Sequence, residues 1–468
     1  MKKHFYQNSM LMIMLVLILK NPVQVCAQNV LPLSLEQSIQ IALEKNPEIR
    51  MAEKETAKAK AGIGEARAAI LPSVSGSVFF QRAWDIQENL IPNFLKPMMA
   101  PLAGVLPGIE DMPDFVRLSF GLENTFTYGL QLTQPLYLGG AGRAGIRMAS
   151  AAANTAQHQH ESKKQQLIYR TAQIYYGCVL ARELVSVQEE ALRQAEANLE
   201  NVKKKFEAGS ASGFEKMRAE VEAANLRPAL SAARNNYQSA ITALRMVLGL
   251  DGTADIRITG ELEYAPDQFE GYELEDLRSL AYQNRPELEM MNAQKAMARN
   301  GISLARSQFL PKVAFVTDYS FLAMKNDLNF HRDDFSKGFT SAISVQVPIF
   351  SGFRSSRAYQ RARLDYKIVQ DAEKQVEDGL TAEVEMVFNT FQEAGEKYQS
   401  AKESIGLAEE ALRLANLMYE EGASTQLDVL GSQLALTQAR LNLASALFEY
   451  QMSRYELRRA AGILKGTI

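Results

Sequence analysis

Side chains able to do chemistry are few in this sequence, and their spacing does not gather them. His158 and His160 lie two residues apart in a stretch rich in Ala and Gln. On a helix that spacing puts them on different faces. His331 falls in a polar loop, and no His/Cys set has zinc-ligand spacing. Gly139-Gly140-Ala141-Gly142 opens a helix, a geometry that can hold phosphate. No P-loop lysine follows, so it reads as a strand-to-helix turn. The acidic pairs Glu189-Glu190 and Glu409-Glu410 read as solvated helix faces. These residues predict no enzyme, no cofactor and no metal site.

The chain begins with Lys2 and Lys3, an unbroken apolar run from Met10 to Leu19, and Val25-Cys26-Ala27. That is the pattern of a secretory signal peptide over residues 1–27, cleaved after Ala27. Lipidation of Cys26 is the alternative, but Val25 is not the small residue such processing favours. Cleavage leaves Cys178 as the one cysteine, so no internal disulfide can form. Removing Lys2, Lys3 and Lys20 with the leader leaves 48 basic and 54 acidic residues, net −6. That balance argues against a nucleic-acid partner. No other stretch approaches the ~20 apolar residues of a membrane helix. Any membrane passage must then use β-strands.

The elements that would position any site are written twice. Leu35–Pro72 recurs as Leu274–Pro311, with Pro47, Gly62 and Pro72 matching Pro286, Gly301 and Pro311 at a constant offset of 239. Gln134-Pro135-Leu136-Tyr137 matches Val347-Pro348-Ile349-Phe350. Gly139, Gly209 and Gly249 match Gly352, Gly422 and Gly462, all at an offset of 213. Repeat one spans about 33–250 and repeat two about 272–463, within a domain covering 28–468. The two offsets differ by 26, which places one insertion between Pro72 and Pro135.

Each repeat predicts two short helices, two strands and two long helices. Pro47 and Pro286 break the first helix from the second. Gly62 and Gly301, inside the second helix, suggest close packing there. After Leu71-Pro72 and Leu310-Pro311 the period changes from 3.6 to 2, giving strands over about 73–84, 119–134, 312–323 and 338–349. Phe120, Leu122, Phe126, Tyr128, Leu130 and Leu132 share one face, with Asn124 as its polar exception. Val74, Val78, Phe80, Val313, Phe315, Tyr319, Phe321, Phe339, Ile343, Val345, Val347 and Ile349 form similar apolar sides. A half-buried soluble sheet would alternate in the same way. The insertion from Asp85 to Val116 reads as a structured extracellular loop. Ala141–Ala208 and Arg354–Glu421 are proline-free and helical throughout. Return helices follow, one interrupted by Pro228 and the other carrying Leu427, Leu430, Leu434, Leu441 and Phe448 at core-packing spacing.

Four strands cannot close a barrel, and an open sheet cannot sit in lipid. Three copies would supply twelve strands and a ring of long helices. The fold class expected is therefore mostly α with a β-barrel portion. It is an internally duplicated protomer of a trimeric, 12-stranded barrel on a 12-helix tunnel. A surface coiled-coil protein is the rival class, but it does not account for four alternating strands bounded by Leu-Pro stops.

Over the whole mature chain the sequence resembles the TolC-like outer membrane efflux protein family. The resemblance rests on the duplication, on Asn46-Pro47-Glu48 and Arg285-Pro286-Glu287, and on the Pro-x-x-x-Gly entry to each long helix. Its most specific signs are two tip motifs, Phe206–Glu215 and Tyr419–Asp428. The resemblance implies a homotrimeric exit duct in the outer membrane, with a periplasmic helical portion. It also implies a periplasmic adaptor (membrane fusion protein) and an inner-membrane pump as partners. The cargo is drug, metal or, in a type I secretion system, protein. It further implies a periplasmic gate made by Tyr419, Asp428 and Glu215, and adaptor-contacting tips at Gly209, Ser210, Gly422 and Ala423. Ser424 stands where the family has an arginine, and Gly431 where it has a second aspartate.

Overall fold

The computed structural model describes residues 31–464, apart from 103, 104, 106, 109, 110, 120, 253, 267, 268 and 270. The predicted leader over residues 1–27, including Cys26, and the positions Phe120 and Gly104 lie outside the described residues. The backbone forms two compact units. Unit one is Met1–Lys54, His158–Glu289 and Lys374–Ile468; unit two is Glu55–Gln157 and Met290–Glu373.

Unit two holds a four-stranded antiparallel sheet. Its strands are β2 (Ser73–Arg82), β5 (Asn124–Tyr137), β7 (Lys312–Lys325) and β8 (Ser336–Gln346), in the order β2-β5-β7-β8. The register puts the predicted apolar residues that lie within these strands on one face, while Leu122, Val347 and Ile349 fall outside them. Val74, Val78 and Phe80 pair with Leu132, Tyr128 and Phe126. Tyr128 and Leu130 pair with Phe321 and Tyr319, and Tyr319, Phe315 and Val313 pair with Phe339, Ile343 and Val345. Tyr128 stacks on Phe321 with ring centroids 4.9 Å apart. The opposite face carries Ser73, Ser75, Thr127, Gln131, Asp318, Thr340 and Gln346. Both outer strands, β2 and β8, are exposed along their full length.

The strand predicted over 119–134 is divided. Phe115–Ser119 is a separate strand, β4, paired with β3 (Glu88–Pro92) inside the insertion. Gly121, at φ 136°, turns the chain before β5 begins. Asn124, the polar exception on the apolar side, is 1% exposed and donates from Nδ2 to the Asp327 carbonyl at 3.3 Å. It anchors the start of β5 and is no interruption of a longer strand. The insertion also contains a helical turn at Leu95–Met99. At the other edge, β8 stops at Gln346, ahead of Pro348, which has no N–H to donate.

Among the described residues, eight helices longer than two turns complete the fold. They are α1 (Leu35–Lys45), α2 (Pro47–Ala68), α3 (Ala141–Glu207), α4 (Gly213–Leu248), α5 (Leu274–Asn284), α6 (Pro286–Ser307), α7 (Arg354–Glu420) and α8 (Gln426–Ala460). The helices α3 and α7 have 67 residues each, about 100 Å at ~1.5 Å per residue. The helix α4 continues through Pro228. A Cβ on Gly62 or Gly301 would meet nothing within 4 Å. The close packing expected there is therefore absent within the described protomer.

In unit one, a short parallel pair joins β1 (Leu31–Leu33) to β6 (Ile256–Ile258). Around it pack Ile39, Leu167, Tyr175, Cys178, Leu244 and Leu248, all at most 3% exposed. Burial pushes the Cys178 thiol up to about 12, so it is a packing residue. A second cluster gathers Phe269, just ahead of repeat two, with Leu277, Val384, Phe391, Tyr450 and Leu457 of that repeat. The repeat explains how these cores are clamped. Gly249 and Gly462 sit at φ 65° and 73° after their helices. A Cβ there would come 2.8 Å from the Lys45 carbonyl oxygen or 2.7 Å from the Asn284 carbonyl carbon. Only glycine permits both that φ and that approach. The adjacent breaks are tied to the same helix ends. Asn46 donates to the Val247 carbonyl at 2.9 Å, and Arg285 to the Arg459 carbonyl at 3.1 Å.

Candidate functional site

The two helical tips lie in unit one and are built alike. At the first, Ser210 and Ala211 donate to the Lys205 carbonyl at 2.8 and 3.2 Å as α3 ends. At the second, Gly422 donates to the Tyr419 carbonyl at 3.3 Å and Ala423 to the Met418 carbonyl at 2.7 Å. The Ser210 hydroxyl also donates to the Lys205 carbonyl at 3.1 Å. Gly209, Ser210, Gly422 and Ala423 are all exposed.

Both predicted acids cap their return helices. The Ser212 N–H donates to Glu215 Oε2 at 2.6 Å, and the Glu215 N–H donates to the Ser212 hydroxyl at 3.2 Å. Asp428 repeats this box and adds to it. Its Oδ2 accepts from the Thr425 N–H at 2.9 Å, the Thr425 hydroxyl at 2.6 Å and the Ser424 hydroxyl at 2.9 Å. These donors, Thr425 first, hold the Asp428 carboxyl below the usual aspartate value. Ser424, where an arginine would stand in the family, is thus bound to the acid at the same tip.

Tyr419 is partly buried. Desolvation, and secondarily the charge of Glu215, raises its hydroxyl above the ordinary tyrosine value. Among the described residues no hydrogen bond joins Tyr419 to Glu215. The contacts between the hairpins come from two residues that sequence reasoning missed. Lys205 Nζ lies 3.9 Å from the Tyr419 ring centroid and donates to the Tyr419 carbonyl at 3.4 Å. Gln426, 2% exposed, donates from Nε2 to the Glu215 carbonyl at 2.9 Å. Lys205 and Tyr419 are 214 residues apart, and only helix packing brings them together.

The return helices differ from the sequence reading in one respect. In α8, Val429, Leu436 and Ala439 are buried, whereas Leu427 and Leu434 of the predicted core stripe are 58% and 68% exposed. Their twins in α4, Phe214 and Val221, are 67% and 53% exposed. Two of the five stripe positions therefore lie on the outside of the protomer, while Leu430 and Leu441 are half-buried and Phe448 packs against the first core cluster.

Burial, then Lys164, lowers the pKa of His160, while the backbone N–H of His331 donates to Asp334 at 2.7 Å. Glu190 pairs with Arg193 and Gln194, and Glu410 with Arg413.

Comparison with known proteins places this arrangement. The family described as outer membrane efflux protein matches residues 38–250 and 277–463, one block per repeat. The alkaline protease secretion protein AprF of Pseudomonas aeruginosa is 23% identical over 442 residues, covering 92% of this chain and 85% of its own. The outer membrane protein TolC of Vibrio cholerae is 22% identical over 338 residues, covering 72% and 76%. In structure, the Campylobacter jejuni CmeC outer membrane channel superposes with a TM-score of 0.74 at 18% identity, covering 92% of this chain and 85% of that one.

Proposed function

The chain belongs to the outer membrane efflux protein family, and from that premise we propose that it is one protomer of a homotrimeric exit duct of a tripartite efflux pump. The observation that carries this is the unit-two sheet. It has one apolar face, one face rich in Ser, Thr and Gln, and two edges without a strand partner among the described residues. Unpaired edge groups cannot remain in hydrocarbon. Three copies joined edge to edge, β8 of one to β2 of the next, give a closed 12-stranded barrel with its apolar face toward lipid. The exposed Phe214 and Val221 of α4 and Leu427 and Leu434 of α8 then pack between copies as the tunnel wall. Residues 1–27 act as the export signal, and β2, β5, β7 and β8 are the membrane strands.

In this reading the insertion between β2 and β5 faces the outside. The tips at Gly209, Ser210, Gly422 and Ala423 meet a periplasmic adaptor, which links the duct to an inner-membrane pump. Tyr419, Asp428 and Glu215 form the periplasmic gate, with Lys205 in the role of the missing arginine. A duct for type I protein secretion is the second reading, supported by the similarity to AprF over nearly the whole chain. Heat-resistant trimers on denaturing gels of outer membranes, with discrete conductance steps in planar bilayers, are the expected result. A monomer without conductance would refute the duct.

A further inference from the structure

On the polar face of the unit-two sheet a cavity of about 680 Å³ opens where β7 and α7 begin. Lys312, Arg354, Arg357 and Arg361 line it, together with Gln308 and Gln346. Lys312 and Gln346 are direct register partners. Among the described residues none of the four cations has an ion-pair partner. Arg357 donates to the side-chain oxygen of Gln360 at 2.9 Å, and the first turn of α7 contains no acid. Asp365, one turn beyond Arg361, and Asp318, farther along the same face of β7, are not paired with them.

The duplication makes this cluster informative. The twin positions in repeat one are Ser73, Ala141, Ala144 and Met148. Repeat one has Arg143 and Arg147, but one helical position out of register, about 100° around the helix. The shared fold therefore does not require the four cations. Gathering like charges around a cavity is unfavourable unless an anion joins them. A guanidinium fork fits a phosphate or carboxylate with two hydrogen bonds. The volume lies in the range of small-ligand sites, ~300–1,000 Å³.

We infer that this cavity is an anion-binding site, one per chain, for a small multivalent anion carrying two or more phosphate or carboxylate groups. Its position on the pore rests on the channel reading; the binding itself does not. Titration calorimetry of the full-length detergent-solubilised protein with inorganic pyrophosphate at low salt tests it. Saturable binding at one per chain is expected, weakened about tenfold or more in the Lys312→Gln/Arg361→Gln double variant. Arg143→Gln in repeat one should leave it unchanged. If the double variant fails to assemble, Arg354→Gln and Arg361→Gln singly carry the same test. No saturable binding, affinity indifferent to these changes, or equal loss in Arg143→Gln overturns the site. So does weakened trimerisation without pyrophosphate binding, which would mean that carboxylates of a neighbouring copy face the cavity. A protein that binds pyrophosphate but conducts no current fails the channel reading alone. One that conducts but binds none fails this site alone.

Discussion

Tyr175 in unit one and Leu130 in unit two are both large side chains on regular elements, yet one is 1% exposed and the other 57%. The Tyr175 hydroxyl donates to the Leu33 carbonyl at 3.0 Å and accepts from the Gly260 N–H at 2.9 Å. Its ring lies inside a cluster drawn from α1, α3, α4, β1 and β6. Leu130 stands on a sheet face as regular in register as any core, but among the described residues only Phe330 and Phe335 pack on part of that face, at Phe126 and Tyr128. Unit one therefore completes its core within one chain, whereas the unit-two sheet has the pattern of a buried surface without a burying partner. The same protomer meets two solvents, and hydrophobicity alone does not tell them apart.

The largest effect expected follows from this difference. Leu244→Ala, at a side chain with 0% exposure, should cost about 2–5 kcal/mol. Leu130→Ala in the same detergent-solubilised protein should cost less than ~1 kcal/mol. Denaturant unfolding followed by circular dichroism measures both. Equal losses would erase the distinction between the units.

A charge on the sheet sharpens the comparison from the other side. Leu130→Arg puts a cation on the apolar face and should cost about 2–4 kcal/mol near the bilayer midplane. Thr127→Arg, on the opposite face of the same strand, should be tolerated. The readout is the fraction of heat-resistant trimer in outer membranes. Equal tolerance of the two would mean that the apolar face does not meet lipid.

Most of this contrast was legible in the sequence. The two offsets, 239 and 213, locate the breaks, strands and helix ends, because Pro and Gly mark positions where backbone chemistry leaves little choice. The period-2 faces were legible as faces, although each lies on its own strand and only the register fuses them. The division at 119–124 was not legible, since alternation runs unbroken across Gly121 and nothing local signals that Asn124 is an anchor. The exposure of Leu427 and Leu434 was not legible either, because spacing alone does not say which residues of an apolar stripe the chain itself covers. Lys205 and Gln426 were missed for a different reason. They act on partners 214 and 211 residues away, and neither residue type is distinctive by itself.

Smaller effects are expected at the tips, where two hairpins of matching design differ in their ties. Lys205→Ala removes the cation over Tyr419, about 0.5–1 kcal/mol at an exposed site. It should raise single-channel open probability. Tyr419→Leu should do the same, and the double variant should add little to either single one, because both changes remove one contact. Fully additive effects would separate Lys205 from the gate.

The smallest and most discriminating change concerns Asp428, which the protomer uses as a cap and the proposed trimer uses as a charge on its threefold axis. Its folded pKa is depressed by hydrogen bonds from Thr425 and Ser424. A depressed carboxylate contributes its stabilisation fully above the ordinary aspartate value and loses it as pH falls through the folded value. An aspartate is ionised at neutral pH with or without the cap, and three copies near one axis would present a negative ring that attracts cations. Asp428→Asn separates the roles, because an amide oxygen still accepts from the Thr425 N–H while the charge is gone. Cation selectivity and block by multivalent cations should fall in Asp428→Asn, with little loss of thermal stability. The acid-dependent change in wild-type selectivity should also disappear. Asp428→Ala should lose selectivity and cap together. If Asp428→Asn keeps wild-type selectivity and block across pH, the carboxylate is a helix cap alone, and the proposed gate loses Asp428.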